Sequence, residues 1–188
     1  MPDTRPHWGA SMTVLQTDNL TLSPCTPHDR QEFINLELDP EVMHYLNGGA
    51  VDHATTDPDK MTFRMPRGTE LDVWTARRTD GGAFIGWFCL SLEIDGIAEI
   101  GYRLRKEHWG KGYGSEGASA LINWGFQTLG LEKIVASTMA LNAGSRGVME
   151  RCGMKHVRTV SFDAAYFPGS EQGEVWYELN RGDWAGAR

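Results

Sequence analysis

Between residues 71 and 104 apolar and polar positions alternate in three runs, broken by Asp80-Gly81-Gly82 and by Asp95-Gly96. Period two marks strands with one buried face, and Asp-Gly pairs favour tight hairpin turns, so the pattern predicts an antiparallel meander. Downstream the period changes. Ala118, Leu121, Ile122, Gly125, Phe126 and Leu129 recur at spacings of three and four until Gly130, which predicts an amphipathic helix. KIVASTM, residues 133–139, returns to a strand pattern, and a short helix starting at Asn142 or Ser145 is stopped by Gly153. KHVRTVSF and EVWYEL then read as two closing strands.

Towards the N-terminus the segment LQTDNLTLSP, residues 15–24, reads as one strand with Leu20 and Leu22 inward. Thr26 with Asp29 resembles a capping box ahead of a helix whose stripe is Phe33, Leu36 and Leu38. Asp39 and Pro40 suit the N-cap and first position of a second helix, ended by Gly48 and Gly49. Residues 51–68 are polar and proline-containing, which predicts a short helix and a surface loop. Trp74, Trp87, Phe88, Trp124 and Trp176 fall on periodic apolar positions and are expected in the core. The sum is an α/β (α+β) layout, a mixed, mostly antiparallel sheet of about seven strands with helices on both faces.

Composition narrows the class. A chain of 188 residues with 40% hydrophobic content suits one domain, assigned to residues 12–188, with 1–11 expected to be a disordered extension and Met12 an alternative start. The formal charge of −7 argues against a nucleic-acid partner, which needs clustered Lys and Arg. Cys25, Cys89 and Cys152 are an odd set without a CxxC pair, so reduced thiols in the cytoplasm are expected. No apolar stretch has signal-peptide or membrane-span character, so a soluble protein without a membrane partner is expected. His44, His53, His108 and His156 show no ligand spacing, and no metal is expected.

The candidate chemistry centres on HWGKGYGSEG, residues 108–117, where Gly110, Gly112, Gly114 and Gly117 precede the amphipathic helix. Glycines at a helix start suit a backbone that cradles a phosphate. Gly112-x-Gly114-x-x-Gly117 matches the dinucleotide fingerprint, but Arg105, Lys106, Glu107, His108 and Trp109 intervene after the preceding strand, and no acid follows at the end of the next. A Walker loop fails as well, because glycine follows Lys111 where Ser or Thr is required.

EIGYRL, WGKGYGSEG and NAGSRGVMERCGM, in this order, resemble the GNAT superfamily of N-acetyltransferases, and within it the Rim-type branch, over residues 20–184. The resemblance implies acetyl-CoA as cosubstrate. Its diphosphate would rest on the turn Trp109, Gly110, Lys111, Gly112, Tyr113 and Gly114, with Trp109 where the superfamily usually has Arg or Gln. Asn142 would lie near the pantetheine arm, whose amides would pair with backbone groups near Tyr102, Arg103 and Leu104. That arm would enter where the strand of Glu99 diverges from KIVASTM, and a backbone N–H there would polarise the thioester. The resemblance also makes Glu99 the general base, against a plain reading as a solvated strand glutamate.

Met149 stands where many family members have a proton-donating tyrosine, and Ser145 is the expected substitute. Tyr166 and Tyr177 are alternatives more suited to packing, and Ser145 could instead simply cap its helix. The acceptor would be an amine: a protein N-terminus, a polyamine or a small molecule. An α-amino group is favoured, because its pKa near ~7.8 leaves far more neutral amine at pH 7 than a lysine-like pKa near ~10.4, and an ordinary glutamate is a weak base. Glu171 and Glu174, in the 164–174 loop, could hold a cationic neighbour of that amine. A homodimer is compatible with this reading. The rivals are a catalytically silent acyl-CoA-binding module and, on GxGxxG alone, a nicotinamide-dependent oxidoreductase.

Overall fold

A computed structural model of the protein describes residues 13–94, 96–162 and 167–186. The expected extension over 1–11, the alternative start Met12, the Asp95 half of one turn, Tyr166 and the first part of the 164–174 loop lie outside the described residues. Eight strands form one sheet: β1 (Leu15–Gln16), β2 (Leu20–Pro24), β3 (Val73–Arg78), β4 (Phe84–Ile94), β5 (Ile97–Leu104), β6 (Lys133–Met139), β7 (Lys155–Val160) and β8 (Glu174–Asn180). Their order is β1-β2-β3-β4-β5-β6-β8-β7. Of its neighbouring pairs only β5 and β6 run parallel.

The sheet has eight strands because residues 15–24 fold as two. The Thr17 N–H donates to the Leu20 carbonyl at 2.9 Å, and the backbone N–H of Asn19 donates to Glu116 Oε1 at 2.8 Å. The polar Thr17-Asp18-Asn19 step therefore makes a hairpin out of what reads as one alternating run. The 73–104 meander forms as its turn signals predict, with Trp74 opposite Phe88 and Phe88 opposite Tyr102.

Among the described residues four α-helices cover the sheet: α1 (Arg30–Glu37), α2 (His44–Asn47), α3 (Tyr113–Gln127) and α4 (Ala143–Arg151). The Thr26 backbone N–H donates to Asp29 Oδ2 at 2.8 Å, and this cap opens a 3-10 turn, Pro27–Asp29, that leads into α1. Phe33 and Leu36 are fully buried below it, whereas Leu38 points outward and is 50% exposed. Asp39 Oδ1 accepts the Glu41 N–H at 2.9 Å, yet only turns follow it. The second helix begins at His44 and ends after four residues at Gly48, whose φ of 74° is left-handed.

One face of the sheet carries α3 and α4 over a core that includes Leu22, Phe88, Leu90, Ile100, Leu121 and Phe126. The other carries α1 and residues 42–65 over Phe33, Leu36, Met43, Trp87 and Cys89. Trp74, Trp87, Phe88 and Trp124 are buried as expected. Trp176 is not. It is half-buried on β8 beneath the Arg158 guanidinium, 4.5 Å from the ring centre, because its neighbour β7 is an edge strand exposed along its whole length.

Candidate functional site

β5 and β6 pair only at Ile97–Lys133, Ala98–Ile134 and Glu99–Val135. Beyond Glu99 they part, although β5 continues to Leu104 and β6 to Met139. β4 holds the outer edge of β5 up to Leu104, and β8 holds the outer edge of β6 throughout. The facing edges from Ile100 and from Ala136 onward thus form a wedge with unshared backbone groups, wide enough to separate two strands of one sheet. The far end of the wedge is modified by a side chain. Trp109 Nε1–H donates to the Leu104 carbonyl at 2.9 Å, so that acceptor is already used.

The glycines of the turn divide by role. Gly110 (φ 72°) and Gly112 (φ 87°) are left-handed, exposed, and open to solvent where a Cβ would stand. Gly112 is the N-cap of α3 without a side-chain cap, so the first-turn N–H groups of α3 are left for something other than this chain's side chains. Gly114 and Gly117 serve packing. A Cβ on Gly114 would stand 2.9 Å from Val148 Cγ2, and one on Gly117 would stand 2.3 Å from Phe88 Cζ. Tyr113 is buried, while Trp109 and Lys111 are exposed beside the two open glycines.

Beneath the wedge lies the first turn of α4. Asn142 is its N-cap and accepts the Ser145 N–H at 3.1 Å, which removes the cap role from Ser145. Ser145 Oγ lies 3.0 Å from the hydroxyl of Tyr102, which also lies 3.0 Å from the Ser145 carbonyl. Burial pushes the Tyr102 phenol well above its ordinary pKa, so it stays protonated. Sequence reasoning valued Tyr102 for its backbone, but its side chain completes a hydroxyl pair across β5 and α4. Met149 is buried in the core. Tyr177 is also buried, its hydroxyl donating to Glu150 Oε1 at 2.9 Å, in keeping with packing.

The opposite face of the wedge is charged. Glu99 is half-buried, and its carboxyl is raised above the usual range by desolvation first, then by Glu93 and Glu174; Arg64 and the nearby Ser137 hydroxyl oppose the rise. The Glu99 carboxyl is therefore not the ordinary glutamate assumed from sequence. Ser137 Oγ–H donates to Glu174 Oε1 at 2.8 Å, and Trp176 Nε1–H to Glu174 Oε2 at 3.1 Å. Arg64 bonds Asp72 Oδ1 at 2.9 Å and Ser91 Oγ at 2.6 Å.

Arg103 does not point into the wedge. Its guanidinium is buried against Glu37 Oε1 at 3.0 Å, bonds the Arg64 carbonyl, and lies 5.0 Å from the Trp87 ring centre, and its backbone carbonyl lies against Gly86 of β4, on the far edge of β5 from the wedge. Desolvation raises Glu37 to about 7 and lowers Arg103 to about 10, against their mutual attraction. His53 Nε2 stands 3.1 Å from the other Glu37 oxygen without hydrogen-bond alignment.

Sequence reasoning missed Glu37, Arg64, Ser91 and Ser137. The alternation that places Ser137, Glu99 and Ser91 on one face is readable, but their meeting depends on strand register. In the 164–174 loop the described part, from Phe167, is anchored: Ser170 is fully buried and bonds the Phe167 carbonyl at 2.7 Å. Glu171 is exposed and accepts the Gly169 N–H, so of the two acids only Glu174 reaches the wedge. A surface hollow between β1 and α3, lined by Leu15, Glu116 and Trp124 among others, contains none of these groups. Among the described residues there is no cluster of three metal-ligating side chains, and no helix is long and apolar enough to cross a membrane.

Residues 19–155 match a family described as "Acetyltransferase (GNAT) domain". The FsC-acetyl coenzyme A-N(2)-transacetylase of Aspergillus fumigatus is 32% identical over 186 residues, covering 91% of this chain and 77% of that protein. An acetyltransferase (GNAT family) from Bacillus anthracis superposes with a TM-score of 0.75 at 19% identity, covering 90% of this chain and 99% of that one. The ribosomal-protein-S5-alanine acetyltransferase from Vibrio fischeri gives 0.70 at 18% identity, with 92% and 98% covered. At these identities the two structures speak to the fold.

Proposed function

The chain belongs to the GNAT family of N-acetyltransferases, and from that premise we propose that it moves the acetyl group of acetyl-CoA onto a primary amine, an α-amino group by preference. The observation that carries this reading is the parting of β5 and β6 directly after Glu99, with a hydroxyl pair on one side and a raised carboxyl on the other. The residues fit the cosubstrate. Gly110 and Gly112 let backbone N–H groups approach a diphosphate at the α3 N-terminus, with Lys111 and Trp109 beside them. Backbone groups of Ile100 and Tyr102 face the slot for the pantetheine amides, those of Arg103 being turned to β4, and Asn142 sits at its α4 side. A backbone N–H of β5 polarises the thioester carbonyl.

Glu99 takes the proton of the acceptor ammonium from the other side of the sheet, a task for which its raised carboxyl is better matched than an ordinary glutamate. Ser145 donates to the departing sulfur, and Tyr102, whose hydroxyl donates to the Ser145 carbonyl and lies 3.0 Å from Ser145 Oγ, steadies it, so the two hydroxyls take the place of the tyrosine that Met149 replaces. The raised Glu99 weakens one reason for favouring an α-amino acceptor. A second reason now supports the preference: the Aspergillus relative is named for transfer to an N(2) nitrogen, which in an amino-acid-derived acceptor is the α-nitrogen. The Rim-type motifs point the same way.

The test compares kcat/KM with acetyl-CoA on a peptide bearing a free N-terminus, the same peptide blocked there but carrying lysine, and spermidine. The free N-terminus is expected to win by at least roughly tenfold, the size of a 1.4 kcal/mol difference in transition-state binding. Victory for either rival amine overturns the α-amino preference, and coenzyme binding without turnover of any amine favours the silent module.

A further inference from the structure

Two glycines lie within strands of the sheet, and only one of them is explained by the chain around it. A Cβ on Gly86 of β4 would stand 2.1 Å from the Arg103 carbonyl oxygen and 2.8 Å from Leu104 Cα, so backbone excludes a side chain there. Gly101 of β5 is different. Its φ is not positive, and among the described residues a Cβ on it would meet one atom within 4 Å, Cys89 Sγ at 2.9 Å, which is only the tip of a side chain. Glycine inside a strand weakens it, and a regular strand that keeps one often does so where something else comes close.

The position is the one an acceptor has to reach. Glu99, Gly101 and Arg103 follow one another on the α1 face of β5, opposite Ser91, Cys89 and Trp87 of β4. Arg103 is covered by Glu37, Phe63 and Trp87, whereas Gly101 is partly exposed in mid-sheet. It lies two residues past the last β5–β6 pair, Glu99–Val135, at the mouth of the wedge. Cys89 is buried, and burial pushes its thiol up to about 11, so it stands beside Gly101 as a neutral wall and not as a nucleophile. Residues i and i+2 of a strand stand about 7 Å apart on one face. An amine nitrogen held at the Glu99 carboxyl thus brings its own carbon, and the first substituents of that carbon, over Gly101.

We propose that the surface of Gly101, walled by Cys89 and flanked by Glu99, seats the carbon that bears the acceptor's amino group, and that the absence of a side chain at 101 admits an acceptor branched at that carbon. This rests on the reading of an α-amino acceptor attacked beside Glu99. An α-amino group sits on a carbon with two further substituents, whereas the amine of a lysine or a polyamine sits on an unbranched CH2. Gly101 is then a specificity-determining residue. A methyl group there collides with the branch and spares the straight chain.

The experiment uses the full chain, acetyl-CoA and two peptides with free N-termini that differ only in their first residue, glycine or alanine, so that only the branch changes. Gly101→Ala is expected to lower kcat/KM on the alanine-initiated peptide roughly tenfold more than on the glycine-initiated one, the low end of what one methyl group decides in an apolar pocket. The KM for acetyl-CoA should stay as in the wild type. The double variant Gly101→Ala with Cys89→Ala removes the sulfur that the added Cβ meets, and it carries the test if Gly101→Ala alone does not fold. It should keep the selectivity, because its added methyl group stays under the acceptor while the space freed lies to the side, toward β4. A double variant with the wild-type ratio of the two peptides overturns the seat, since Gly101 then only makes room for Cys89. An equal loss on both peptides overturns it as well, while leaving α-amino acetylation intact. A wild-type protein that acetylates neither peptide overturns the α-amino reading and the seat together.

Discussion

The two faces of the sheet at the wedge are built on different principles. On the α3 and α4 side, the working parts are backbone: the left-handed Gly110 and Gly112, the open helix start, and one hydroxyl pair over an apolar core. On the α1 side, they are charged side chains gathered from distant segments: Glu37, Arg64, Asp72, Glu99, Arg103 and Glu174. Backbone geometry is local and tolerates little variation, so under the proposed function it would hold the same diphosphate-like shape whatever lies opposite. Charged pairs assembled over long loops can be exchanged one by one. A face of that kind suits the choice of acceptor.

The sharpest way to break the charged face is Glu37→Ala. It leaves the Arg103 guanidinium buried without its carboxylate, a loss of about 3–5 kcal/mol for removing one member of a buried pair. Chemical denaturation should show it, and a midpoint close to wild type would mean that water or Arg64 replaces the partner. The pair has a pH signature of its own. Glu37 is raised to about 7 from the ordinary value of 4.5, so the folded state holds a proton that the unfolded state has released between those values. Stability from this group therefore falls as pH rises through that window, and Glu37→Gln should flatten the slope.

The glycine division sharpens the other face. Gly117→Ala drives a Cβ into the Phe88 ring and should cost about 1–3 kcal/mol of stability, as overpacking does, with the affinity of the remaining folded protein for acetyl-CoA unchanged. Gly112→Ala meets no neighbouring atom but must hold a φ of 87°, which should cost about 1 kcal/mol of stability, and unlike Gly117→Ala it should also lower calorimetric acetyl-CoA affinity. If both variants lose affinity in proportion to stability, the glycines do not divide by role.

A purely kinetic effect concerns the hydroxyl pair. Ser145→Ala should reduce kcat by roughly tenfold, low in the range for a proton-transfer group, with the KM for acetyl-CoA little changed. Asn142 already supplies the cap, so the thermal midpoint should hold. Normal turnover together with lowered stability would return Ser145 to a packing role.

Short-range physics was legible in the chain. The meander, α3, β6 and the Asn142 cap follow from period, turn residues and capping chemistry within about a dozen positions, and family likeness supplied the order of motifs. The split of residues 15–24 into two strands was not legible, because a helix a hundred residues away supplies the Glu116 carboxylate that holds the turn. Nor could Gly112 be told from Gly117 by spacing, since the difference lies in whether Phe88 stands opposite. The carboxyl of Glu99 looked ordinary for the same reason: its rise comes from desolvation and from Glu93 and Glu174, which strand register alone brings near. Sequence by itself determined the elements and the coenzyme-like turn, because those depend on neighbours along the chain. Only the tertiary structure decided the raised Glu99 carboxyl, the hydroxyl pair and the buried Glu37–Arg103 pair, because charge and burial act through space.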